Sequence, residues 1–187
     1  MHRNWKDLIK PNSVEAEVLT DTYGKFVAKP LEKGYGVTVG NSLRRILLSS
    51  LNGAAVVAAR FEGTEHEFSV IPGVKEDVTE IILNIKQVNL RYLGEEDTTI
   101  TLKAEGSRIV TAADIETKGD VEILNPEQVI CTLNDEGKVN CEFLVRHGRG
   151  YLTSDASREM DLPVSFIPID AIFAPVRRVA YQIADAR

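Results

Sequence analysis

The chain has 187 residues, 43% of them hydrophobic and 27% charged, with 22 Lys and Arg against 28 Asp and Glu, for a formal net charge of −6. That balance builds a sizeable core and excludes a disordered tail or a fibre, and it argues against broad contact with a nucleic-acid backbone, which needs clustered cations. The longest apolar run, Ala54 to Ala59, falls far short of the roughly 20 residues that cross a bilayer, so no membrane partner is expected.

The start, Met1-His2-Arg3-Asn4-Trp5-Lys6, has no apolar signal core, and the two cysteines, Cys131 and Cys141, show no CxxC spacing. Both features fit a reducing, cytoplasmic setting. Val14, Ala16 and Val18 alternate with polar neighbours, and Lys25 to Lys29 repeats the habit around Phe26 and Val27, which predicts two opening strands. After the turn-rich Pro30 to Gly36 the period lengthens: Val39, Leu43, Ile46 and Leu47 share one helical face, and Asn52-Gly53 reads as a left-handed stop. Ala54 to Phe61 reads as a buried strand. Val78, Ile81, Ile82 and Ile85 mark a second helix with Asp77 as N-cap.

Beyond Val88 the pattern is strand-like at Ile100-Leu102-Ala104, Val121-Ile123 and Cys141-Phe143-Val145, separated by Gly94, Gly106, Gly119, Asn134 and Gly137. Thr153 to Asp161 reads as an exposed loop, and Val179, Tyr181 and Ile183 as a last strand with nothing after it to cover it, so the chain reads as truncated at Arg187. Strands and helices do not alternate as a doubly wound sheet requires, and the expected class is α+β.

On a helical wheel the apolar residues of the first helix, Val37, Val39, Leu43, Ile46, Leu47, Leu48 and Leu51, cover an arc of roughly 200°, where a helix on a single core needs about 100°. Arg44 sits inside that arc, its stem able to lie along it. The opposite arc holds Asn41, Ser42, Ser49 and one guanidinium, Arg45, small polar groups that let another chain approach a five-donor fork. The helix is therefore expected to pack on its own sheet, on a second protein through the surplus apolar arc, and on a third through Arg45. A helix buried in a large domain is the alternative.

The stretch Leu31–Leu51, LEKGYGVTVGNSLRRILLSSL, resembles the signature helix of the bacterial RNA polymerase alpha subunit family. The likeness continues through His66-Glu67-Phe68, Gly73–Val78, Ile81–Lys86, Val110–Ile115, Gly148-Arg149-Gly150-Tyr151 and Ala180-Tyr181, spanning nearly the whole chain. The resemblance implies a noncatalytic N-terminal platform of a DNA-directed RNA polymerase that dimerises and assembles the beta and beta-prime subunits, with catalysis left to those partners, no cofactor and no direct DNA contact. It implies a helix-on-sheet dimerisation subdomain, residues 1–52 with 176–187, and a β-rich inserted subdomain, 53–175. By matching position, Arg45 and Leu48 are expected at the beta subunit, and Lys86, Ile169 and Val176, the last two flanking Asp170 and Pro175, at beta-prime. Val39, Leu43, Ile46 and Leu47 are expected at the dimer and core face. Ile169 and Val176 as plain core residues, and Lys86 as a helix C-terminal cation, are the alternatives. A further helix across the dimer axis and a DNA-binding domain are implied beyond Arg187.

The rival reading is a nucleotide-binding protein using the Gly34, Gly36 and Gly40 loop, with Glu62 about 20 residues on, which mimics a dinucleotide fingerprint. Against it, Lys29-Pro30-Leu31-Glu32-Lys33 is charged and broken by proline where a buried parallel strand should enter; the glycines otherwise serve a tight turn and close helix packing. Asp120 with Glu122, and Glu65 with Glu67, pair carboxylates on strand faces, but no third metal ligand is evident and His66 points away from its neighbours. The cysteines read as small buried hydrophobes, and Gly148–Tyr151 as a turn with an exposed cation, with a small anion site as the alternative.

Overall fold

Alternation at Val14, Ala16 and Val18 produces the first element of the computed structural model, which describes residues 8–64, 66–117, 119–159, 162, 163 and 165–185. Met1–Lys6, Glu65, Asp161, Ala186 and Arg187 lie outside the described residues. The described chain is mixed and sheet-rich, and it separates into two compact units, one of residues up to Leu47 with those from Arg178 on, the other Leu48–Arg177.

In the first unit β1 (Ser13–Leu19) pairs antiparallel with β2 (Gly24–Lys29) as an isolated two-stranded ribbon, with a register shift between Ala16 and Val18. Helix α1 (Tyr35–Ser49) follows, entered through Gly34 at φ +87° and a Tyr35 N–H bond to the Glu32 carbonyl at 3.0 Å. Leu, Arg and Ile sustain its interior, and Ser49-Ser50 ends it. The expected stop at Asn52-Gly53 is corrected: both residues belong to the next strand. Gly53 is needed there because a Cβ would stand 1.8 Å from the Phe173 carbonyl oxygen. The glycine signal was a close backbone approach, not a helix terminus.

The second unit is built on β3 (Asn52–Phe61), followed by α2 (Val78–Ile85), β4 (Leu90–Tyr92), β5 (Thr98–Glu105), β6 (Arg108–Thr111), a 3-10 turn at Ala112–Asp114, β7 (Ile115–Glu116), β8 (Val121–Ile123), β9 (Val129–Leu133), β10 (Lys138–Arg149), β11 (Tyr151–Leu152), α3 (Ser154–Arg158), β12 (Ile167–Pro168) and β13 (Ala171–Ile172). The main sheet runs β7-β5-β10-β3-β4-β8 with β12 also on β3, while β6 pairs β9 and β11 pairs β13 in ribbons of their own. All these pairings are antiparallel. β3 and β10 feed both faces: Val56, Ala59, Phe143 and Val145 join one core with α2 and β9, and Val57, Ala58 and Leu144 join a second with Ala171 and Phe173.

Two further expectations are corrected. Thr153 to Asp161 is not an open loop throughout: the Thr153 hydroxyl accepts from the Ala156 N–H at 3.2 Å and caps α3, whose Ser157 is fully buried. The alternation Val179-Tyr181-Ile183 pairs with no strand among the described residues. Its apolar side chains meet glycines of α1 instead: a Cβ on Gly36 would stand 3.2 Å from Ile183 and one on Gly40 2.5 Å from the Tyr181 ring. Period-two alternation reports one apolar face, and here that face lies on a helix rather than in a sheet. Strands β4, β6, β9 and the two-residue strands escaped the sequence reading.

Candidate subunit interface

Helix α1 buries none of its side chains. Leu43 is 52% exposed and Ile46 49%, with Val39 and Leu47 half-buried. An apolar arc this open on a 15-residue helix is more than the single exposed apolar residues that any surface carries. On the opposite arc the Tyr181 hydroxyl bonds Asn41 Oδ1 at 2.9 Å, so the chain's own later segment takes part of the polar strip. Arg45 is exposed and engaged in an interaction of its own; Leu48, three residues on and so on the same side of the helix, is half-buried.

Gly34, Gly36 and Gly40 hold no ligand cradle. Gly36 and Gly40, four apart and so on one face, are covered by Ile183 and Tyr181, and the strand before them, β2, is half of an antiparallel ribbon rather than a buried parallel strand. Glu62 accepts from Asn140 Nδ2 at 2.6 Å.

The second cluster lies wholly in the unit Leu48–Arg177. Asp77 caps α2, accepting from the Glu80 N–H at 2.7 Å. The flanking Glu76 takes the Thr132 N–H at 2.7 Å and its hydroxyl at 3.0 Å, and Asn84 Nδ2 donates to the Ile130 carbonyl at 2.9 Å. These bonds fix α2 over β9, with Val78, Ile81 and Ile85 buried beneath it. The C-cap residue Lys86 is thereby aimed at Asp170: Nζ to Oδ2 is 2.5 Å, with the two side chains 23% and 33% exposed. The Tyr151 hydroxyl donates to the same oxygen at 2.9 Å.

Burial pushes the Asp170 carboxyl upward, and the bonds from Lys86 and Tyr151 more than reverse this, holding it below the ordinary carboxylate range. The same hydrogen bond, followed by desolvation, raises the Tyr151 phenol. Ile169 is 1% exposed and its N–H bonds the Val57 carbonyl at 2.8 Å, so its side chain lies in the core and its backbone presents Asp170. Val176 is half-buried. Lys86, Ile169 and Asp170 thus come together, and Tyr151 joins them.

The remaining candidates carry other roles. Glu122 pairs with Arg91 at 2.8 Å, and His66 Nδ1 lies 3.2 Å from Ser69 Oγ. Among the described residues no group of three or more His, Cys, Asp or Glu is placed to hold a metal, and no helix is long and apolar enough to cross a membrane. Cys131 and Cys141 are buried, and desolvation pushes the Cys131 thiol up to about 12 and Cys141 still higher. Gly148–Tyr151 is not a turn throughout: β10 continues through Arg149, and Gly148 lies under the Phe173 ring, where a Cβ would stand 2.5 Å from it. Only Gly150, at φ +63°, reverses the chain.

The family model described as the RNA polymerase Rpb3/RpoA insert domain matches residues 58–174, well over half of the chain. The chain belongs to this family. As an alpha-type RNA polymerase chain it is part of a DNA-directed transcription enzyme and associates with other polymerase subunits. The matched stretch falls inside the second unit and contains Lys86, Tyr151, Ile169 and Asp170; Arg45, Leu48 and Val176 lie outside it. Tyr151 and Asp170 were not singled out by sequence reasoning, because the bonds that unite the cluster close over 84 residues between Lys86 and Asp170 and over 19 between Tyr151 and Asp170. The signal that could have found them is an acidic residue beside a family contact position and a tyrosine following Gly-Arg-Gly.

Proposed function

We propose that this alpha-type chain is the noncatalytic assembly platform of its polymerase, with two copies joined through the α1 face of Val39, Leu43, Ile46 and Leu47. The beta subunit is taken through Arg45 and Leu48, and beta-prime through Lys86 and Val176, with Ile169 acting by holding Asp170 in place. In this reading residues 1–52 and 176–187 form the dimerisation subdomain and 53–175 the insert, and bond-forming chemistry belongs to the large subunits. The observation that carries it is a 15-residue helix without one buried side chain. A core helix of a self-sufficient domain would hide a stripe.

The experiment is co-purification of the beta subunit with a tagged alpha chain carrying Arg45→Ala. The variant should fold as the parent does, since Arg45 is exposed, and should retain markedly less beta. Retention at the parental level would refute the role of Arg45.

A further inference from the structure

The main sheet curls until both its ends line one cleft. β7 and β8 stand at opposite ends of its strand order, yet Ile115 of β7 and Val121 and Ile123 of β8 border the same space of about 610 Å³, with Leu93 and Pro126 beside them. This is a barrel left open along one seam, and its volume lies in the range of clefts that hold ligands, about 300–1,000 Å³. The backbone of β8 is bonded on one edge only. The Leu93 N–H bonds the Asp120 carbonyl and the Leu124 N–H the Asn89 carbonyl, both at 2.9 Å, and between them Arg91 stands opposite Glu122. Antiparallel alternation therefore turns the N–H and C=O of Glu122 toward β4, and those of Val121 and Ile123 away from it toward the seam. Among the described residues no group bonds these outward amides and carbonyls.

The two faces of this edge differ. Val121 belongs to the core and Ile123 packs against it. Asp120, just before the strand, and Glu122 within it point to the other side, and both border the cleft. Glu122 is paired with Arg91 at 2.8 Å, whereas Asp120 takes part in no ion pair among the described residues. Negative charge collects here: burial first, then the carboxylates of Asp120, Asp97 and Glu96, raise the phenol of Tyr92, the residue opposite Val121. Of these three carboxylates only Asp97 is paired, with Arg146. Lys118 lies outside the described residues, and its single charge offsets no more than one of Glu96 and Asp120.

We infer that β8 receives an added strand: an extended segment of another protein in which basic and apolar residues alternate, its backbone bonding Val121 and Ile123, its apolar side chains entering the cleft and its cations lying beside Asp120 and Glu122. The pleat dictates the alternation, because residues paired with Val121 and Ile123 share their inward face, and the neighbours of those residues fall on the face of the two carboxylates. A second copy of β8 is a poor occupant, since antiparallel pairing would set the same carboxylates against each other. This edge belongs to neither α1 nor the Lys86 cluster, so its loss would leave the platform reading as it stands.

The test uses the full chain and a fluorescent peptide of alternating lysine and valine, with anisotropy reading affinity and melting by circular dichroism as the folding control. Binding should saturate. Ile123→Pro, which puts a ring where the outward N–H was, should weaken it about tenfold. Asp120→Lys should weaken it several-fold, while Asp135→Lys, the same change of charge in the hairpin between β9 and β10, should leave it at the parental value. The peptide with glutamate in place of lysine should not bind. If Ile123→Pro fails to fold, the lysine–valine peptide N-methylated along its backbone takes its place and should also bind about tenfold more weakly. Parental affinity for Ile123→Pro, or for the N-methylated peptide, overturns strand addition. Equal binding of the glutamate peptide, or equal loss for Asp135→Lys and Asp120→Lys, overturns the basic occupant. Absence of saturable binding overturns the proposal outright. A smaller assembly for Ile123→Pro than for the parent in sedimentation assigns the edge to a second copy of this chain and overturns it as well.

Discussion

Replacing Asp170 by Asn tests whether the Lys86–Asp170–Tyr151 cluster is a fixed part of the second unit. The substitution keeps the shape and a weaker acceptor for Tyr151 but removes the charge that Lys86 Nζ meets at 2.5 Å. A hydrogen bond to a charged group contributes about 1.5–3 kcal/mol. With the partners 23% and 33% exposed, solvent screening removes roughly half of this, leaving about 1–1.5 kcal/mol. At ~2–4 °C per kcal/mol for a chain of this size, Asp170→Asn should melt about 2–6 °C below the parent at pH 7. The pH dependence has a definite sign. Because the folded carboxyl titrates below its unfolded value, its contribution is fully present above the unfolded pKa of about 3.9 and is lost as pH falls through the lower folded value. Melting curves of parent and variant followed by circular dichroism should therefore converge below about pH 4. Equal melting at pH 7, or a gap that stays constant to the acid limit, would refute the assignment. Combining Asp170→Asn with Lys86→Ala should cost less than the sum of the two single changes, since both remove one interaction.

Gly53→Ala places a Cβ 1.8 Å from the Phe173 carbonyl, backbone against backbone, and should lower the melting temperature by about 6–12 °C, corresponding to about 3 kcal/mol of overpacking. Ser157→Ala removes a buried hydroxyl that has no hydrogen-bond partner among the described residues, and should leave the melting temperature unchanged or raise it by the equivalent of up to about 1 kcal/mol. Cys131 and Cys141 should not react with a thiol-specific disulfide reagent at pH 8 in the native chain and should both react once it is unfolded, because burial holds both thiols protonated and shielded.

The parts of the fold that could be read from the chain are those in which a local period and a long-range packing surface coincide. Val78, Ile81 and Ile85 recur at helical spacing and are buried, and Asp77 caps the helix they form. Ile100, Leu102 and Ala104 alternate and face the core of β5. Reading failed where a local signal had a nonlocal cause. Gly53 resembled a helix stop because its lack of a side chain is informative, but the reason lies 120 residues away at Phe173. Tyr181 and Ile183 alternate as strand residues do, yet the surface they cover is the pair of glycines four apart on α1. The same two glycines that imitate a phosphate-binding loop are thus accounted for by the side chains lying on them.

The candidate interfaces show the same division. The excess apolar circumference of α1 is a property of consecutive residues, so counting positions around a wheel registers it, and Leu43 and Ile46 stand about half in solvent. The second face has no such local signature. Lys86 ends a helix, Tyr151 sits in a two-residue strand, and Asp170 precedes another, and what unites them is a single carboxylate oxygen shared by an ammonium and a phenol. Residues supplied by three separate elements come together only when the fold brings β11 and β13 beside the end of α2. A cluster of this kind is specified by topology rather than by spacing, and for that reason no further count along the sequence brings its three residues together.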